Sequence, residues 1–163
     1  MHSPALLLLR YALPLVIATL SVQHTSLSWQ GKRVRLAVQI KTLNAIAEPL
    51  RESWPRQDGE VAPIGPFMAY PFGHPRTLLL LQPPQVATGG ISVTEIQRDP
   101  NGAIKLKLNG VEHDDWVEWH PQNSRPHSFV GGLGDRHRLL MSAEIGSGWH
   151  LVRYDFHVAS SIP

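Results

Sequence analysis

Residues 91–108 read ISVTEIQRDPNGAIKLKL, and this stretch decides the fold class. Apolar and β-branched side chains between Ile91 and Arg98 suit an extended chain. Asp99-Pro100-Asn101-Gly102 then supplies a preset φ, a side chain that bonds nearby backbone and a glycine free to take positive φ. Beyond this turn Ile104, Leu106 and Leu108 alternate with Lys105 and Lys107, the period that separates the two faces of a strand. The stretch predicts an antiparallel hairpin.

Working outward, Asn109-Gly110 supplies a two-residue turn. The chain is therefore expected to reverse into Val111 to His113 and then Trp116 to His120, a three-stranded meander. Thr77 to Gln82 reads as a short strand ended by Pro83 and Pro84. His137 to Ile145 and Trp149 to Val158 form a last hairpin across Gly146-Ser147-Gly148, with Val152, Tyr154, Phe156 and Val158 on one face. In Lys32 to Lys41, Val34, Leu36, Val38 and Ile40 alternate with polar or small residues, which predicts a half-buried strand. Thr42 to Glu48 fits one helical turn, capped by Thr42 and ended at Pro49. Residues 54–76 hold five prolines and three glycines and predict a long loop. Its second half, Ile64 to His74, is apolar enough to pack over a core edge or line a groove. Seven or eight short strands imply a mainly β chain, an antiparallel β-sandwich or small barrel built from hairpins.

An N-terminal hydrophobic helix is expected to precede it. Ala5 to Val22 contains seventeen uncharged residues around Arg10. About 18 residues lie near the lower limit for a membrane-spanning helix. The shorter run from Tyr11 also fits a signal-peptide core, with Ser26 and Ser28 as small residues before a cut at Trp29. Both readings bring the protein to a membrane, as a single-pass N-terminal anchor or, after cleavage, as a secreted or periplasmic protein. The expected organisation is a signal or anchor segment over residues 1–30 and one β-rich domain over residues 31–163.

Residues 1–47 carry five basic side chains and no acid, whereas residues 48–163 carry ten basic and thirteen acidic ones. The computed isoelectric point near 9.2 thus reflects the leader. A nucleic-acid binder would concentrate its cations on the folded body, so no nucleic-acid partner is expected. The absence of cysteine removes thiolate chemistry and disulfides.

Six of the nine histidines fall between positions 113 and 157. In a strand, His113-Asp114-Asp115 would point the His113 imidazole and the Asp115 carboxylate the same way. With His150 or His157 they would complete the two-histidine, one-carboxylate face that holds iron(II). This order of residues resembles that of the double-stranded β-helix iron dioxygenases, and the resemblance implies an anion-pairing role for Arg153. His113, Asp115 and His150 are therefore the candidate metal ligands. The usual motifs of zinc proteolysis, phosphate-binding loops and the hydrolase nucleophile elbow are absent. Trp116 and Trp119 occupy opposite faces of a regular strand, so one should be buried while the other reaches a rim suited to a carbohydrate or protein partner. The balance favours a non-enzymatic binding or assembly domain without a cofactor; the alternative is a metal-dependent enzyme built on the His-x-Asp…His site.

Overall fold

A computed structural model describes residues 27–111 and 113–157. The apolar run from Ala5 to Val22 and the end of the last predicted strand, Val158, lie outside the described residues. The chain divides into two compact units, Met1–Val34 and Arg35–Pro163. No described helix is long and apolar enough to cross a membrane.

The strand expected over Lys32 to Lys41 is instead helix. Residues 27–37 form α1, and Ile40–Glu52 form α2 after a two-residue turn. The apparent period of two fails on burial: Val34 and Val38 are 64% and 73% exposed, while Leu36 is fully buried. Leu36, Leu43, Ile46, Ala47 and Leu50 recur at helical steps and are all covered. Pro49, expected to end the turn, lies inside α2. It sits close enough to the C-terminus that the helix continues only through Glu52, and Ser53 N–H donates to Pro49 O at 2.9 Å.

The remaining elements are strands: β1 Gly59–Val61, β2 Gly65–Tyr70, β3 Thr77–Leu80, β4 Gln85–Ala87, β5 Ile91–Arg98, β6 Ile104–Asn109, β7 Asp115–Trp119, β8 Phe129–Val130, β9 Arg136–Gly146 and β10 Trp149–His157. They form one antiparallel sheet in the order β1-β2-β3-β5-β6-β7-β10-β9-β8, with β4 beside β5. The β5–β6 hairpin matches the sequence pattern. Gly102 N–H donates to Asp99 O at 2.9 Å, Asn101 Oδ1 accepts from Ala103 N–H, and Gly102 takes a φ of 87°.

Two expectations need correction. Val111 and His113 lie in a connection, not a strand, because the chain leaves Gly110 at positive φ and pairs again only from Asp115. The proline-rich segment contains β1 and β2. Pro66 is tolerated because β2 uses its carbonyl, which accepts from Leu81 N–H at 3.0 Å.

Register assigns the two faces. Phe67 and Ala69, Leu78 and Leu80, Ile96, Ile104 and Leu106, Val117 and Trp119, and Trp149 and Leu151 share one face. Helix α2 covers it: Trp149 Nε1 donates to Asn44 Oδ1 at 2.9 Å, and the Arg51 guanidinium lies 4.2 Å from the Trp119 ring centroid. The opposite face carries Thr77, Glu95, Gln97, Lys105, Lys107, Trp116, Glu118 and Tyr154.

Candidate functional site

The polar face is as deeply covered as the apolar one. Lys105 and Glu118 are fully buried, and His120, Gln97, Glu95 and His137 nearly so. Three consecutive strands place these charges: an acid on β5, lysines on β6 and an acid on β7, brought side by side because Glu95 pairs with Lys107 and Lys105 with Glu118.

Glu118 is the hub. Its Oε1 accepts from the Tyr154 hydroxyl at 2.6 Å and lies 3.6 Å from Lys105 Nζ, while its Oε2 is 2.8 Å from His120 Nε2. Lys105 Nζ also lies 3.3 Å from Asp99 Oδ2 and 3.9 Å from the Phe129 ring centroid. A buried ammonium is thus flanked by two carboxylates and an aromatic face at ion-pair distance, although neither carboxylate accepts a hydrogen bond from it. Burial and the adjacent Glu118 carboxylate push the Tyr154 hydroxyl well above its ordinary pKa, so it serves as a donor.

A second knot forms around His137. Its Nδ1 is 3.1 Å from Asp114 Oδ2, and its Nε2 meets Asp135 Oδ2. The ring stacks on Phe129 at 4.6 Å and meets the edge of Trp116. Trp116 Nε1 donates to Asp114 Oδ1 at 3.1 Å, and Lys107 lies between Asp114 and Glu95. Gln97 Nε2 donates to Glu95 Oε1. The glycine turn after β8 lies over this knot: Gly132 N–H donates to Thr77 Oγ1 at 3.2 Å, and any Cβ at position 132 would collide with that hydroxyl. An open depression of about 460 Å³ beside it is lined by Phe129, Val130, His137 and Arg138.

Two acids in this region titrate in opposite directions. Burial raises Glu95, and Gln97 and Lys107 only partly oppose it. Burial would also raise Asp114, but the His137 hydrogen bond and Lys107 outweigh it and hold the carboxyl below its usual range. Raised Glu95 contributes stability that is complete below an unfolded-state pKa of about 4.3 and lost as pH rises through the folded value. Depressed Asp114 does the reverse, its contribution present above about pH 3.9 and lost as pH falls through the folded value. Urea unfolding at about pH 2.5, 4 and 7 should therefore show Glu95→Gln gaining on wild type between pH 4 and pH 7, and Asp114→Asn falling behind between pH 2.5 and pH 4. Parallel pH profiles for the two variants would exclude this assignment.

The structure does not bring the proposed metal ligands together. Asp115 is buried on the α2 side, where it accepts from Arg153 Nε at 2.6 Å and Nη2 at 3.0 Å. His150 lies opposite Glu118 in register, on the other face of the same strand pair, and its ring meets His120 at 5.5 Å. Burial and the neighbouring His120 lower the His150 pKa. His113 is exposed in the β6–β7 connection. Among the described residues no group of three or more histidines and acids is placed to hold a metal ion. Trp116 and Trp119 do fall on opposite faces. Trp116 is wholly buried between Phe129, His137 and Tyr154, and Trp119 is half-covered by Arg51. Lys105, Glu118, His137 and Tyr154 were not singled out by the sequence; the available signal was opposite charge at period two on consecutive strands.

The chain matches no family model, no curated protein and no solved structure.

Proposed function

We propose that the chain is a binding and assembly domain delivered to or tethered at a membrane by its apolar leader, and that it assembles through the edge of β9. The single observation carrying this reading is that edge. β9 is eleven residues long, but β8 pairs with it only at Arg136 and His137. Past Leu139, whose N–H donates to Ser128 Oγ, no described strand pairs with that side of β9. Leu140 and Met141 are exposed on it. A long edge of this kind is a template for strand addition. The opposite end of the sheet is blunted by the three-residue β1.

The occupant best fitted to this edge is a second copy. Antiparallel pairing of two β9 strands centred on Met141 sets Arg138 of one copy opposite Glu144 of the other, and such an isologous contact closes as a dimer. Arg138 also pairs with Asp155 of its own chain at 2.7 Å, which fixes its position beside the edge. The ionic interior has a structural role in this reading, stiffening the strands that present the edge. The body is read as a β-sandwich or small barrel, and the Gly132–Thr77 contact between segments far apart in strand order supports a sheet that curls back on itself.

Sedimentation of the full chain in neutral detergent tests the assembly. Arg138→Glu alone and Glu144→Arg alone should each shift wild-type dimer toward monomer. The double variant should restore dimer, since opposite charges face each other again. Monomer at every concentration, or indifference to the swaps, would contradict the reading. N-terminal sequencing of membrane-recovered protein separates anchor from leader, because a start near Trp29 excludes the anchor.

A further inference from the structure

We propose that the cleft between the C-terminal end of α2 and the ends of β3 and β5 binds a phosphate-bearing anion. This open cleft of roughly 920 Å³ is walled by Trp54, Arg56, His74, Arg76 and Arg98, and Glu52 is the sole carboxylate lining it. The next step in the β3–β5 register after Thr77 and Gln97 sets Arg76 opposite Arg98, and Arg98 N–H donates to Arg76 O at 2.9 Å. Like charges directly opposite on neighbouring strands repel. Among the described residues, none of Arg56, Arg76 and Arg98 has a carboxylate within ion-pair distance. The cleft therefore gathers three cations without a carboxylate partner, a charge that a bound anion would neutralise.

The chemistry of the walls selects the anion. Guanidinium groups present planar forks that match phosphate oxygens in pairs. Three arginines facing one glutamate leave a local charge of two, which a phosphate monoester of about −2 neutralises. Trp54 has already committed its indole N–H to Pro75 O at 2.8 Å, so its ring serves as an apolar wall for the group that carries the phosphate. A nucleic-acid polymer is disfavoured by the excess of acids over bases beyond residue 47. Phe72, 96% exposed between the lining residues Pro71 and Gly73, projects at the lip. It would touch the acyl region if the phosphate belongs to a lipid headgroup, and would be a bystander if the phosphate is free.

The inference deepens the binding reading above and rests on it. It uses none of the β9 edge, so loss of one property leaves the other measurable. Calorimetric titration of the full chain in neutral detergent micelles tests it, with three probes: inorganic phosphate, short-chain phosphatidic acid (a lipid phosphomonoester) and succinate as a carboxylate control. Saturable binding of a phosphate probe is expected, weakened about tenfold or more in Arg76→Gln and in Arg98→Gln. Sedimentation and circular dichroism should be unchanged, since both side chains lie at the rim of the sheet. Phe72→Ala weakening only the phosphatidic acid signal assigns the phosphate to a headgroup; no effect on either phosphate probe assigns it to a soluble ligand. Succinate binding as tightly as phosphate, or equal phosphate affinity in wild type and both arginine variants, would overturn the proposal.

Discussion

Replacing Lys105 by methionine is expected to lower the stability of the domain by about 3 to 5 kcal/mol, because it leaves buried carboxylates without their cation. Lys105 is fully buried, with Asp99 Oδ2 at 3.3 Å and Glu118 Oε1 at 3.6 Å. Methionine fills most of the lost volume, so a cavity contributes little and the effect isolates the charge. Glu118 keeps Tyr154 and His120, which soften the loss without cancelling it. The decisive comparison is a double-mutant cycle. Glu118→Gln in the Lys105→Met background should restore part of the stability, with a coupling of about 1 to 3 kcal/mol. Urea unfolding measures it; additive effects would show that the two charges do not sense each other.

Leu36→Ala should cost about 2 to 5 kcal/mol, whereas Val34→Ala and Val38→Ala should each stay within about 0.5 kcal/mol. All three residues sit at alternate positions, so a half-buried strand would make them equivalent. The helix covers Leu36 completely and leaves Val34 in solvent, and the turn that follows leaves Val38 there as well. Thermal unfolding of the three variants is a direct test of the secondary structure here. Equal losses would restore the strand.

That pair of valines also shows why the sequence misleads. Four apolar residues at period two satisfy the strand template, yet Leu36, Leu43, Ile46 and Leu50 satisfy the helical one over a longer span. The longer pattern prevails because it lines one side of α2, where Leu43, Ile46, Ala47 and Leu50 are all buried. By contrast, the β5–β6 hairpin was legible from local chemistry alone, since Pro100, Asn101 and Gly102 each favour the turn for a separate reason. The alternation in β6 revealed two faces but not that both are covered. Lysines at period two ordinarily mark the solvent side of an antiparallel sheet. Here the glycine turn after β8 closes over the polar face, and that contact joins residues 55 positions apart.

The candidate site suffered from the same missing information. His113, Asp115 and His150 are chemically suited to a metal, but the face each occupies depends on register, which spacing between distant strands does not specify. Asp115 found Arg153, and His150 found the other side of the sheet. The tryptophans fared better because Trp116 and Trp119 belong to one strand, where an odd offset fixes opposite faces.

The most direct test of assembly through the open edge is amide hydrogen exchange at Leu140 to Ala143, followed as the concentration of full-length protein rises. Protection confined to the outer edge of β9, growing with concentration and abolished by Arg138→Glu, is the expected result. Exchange at these amides that is the same at every concentration would contradict it.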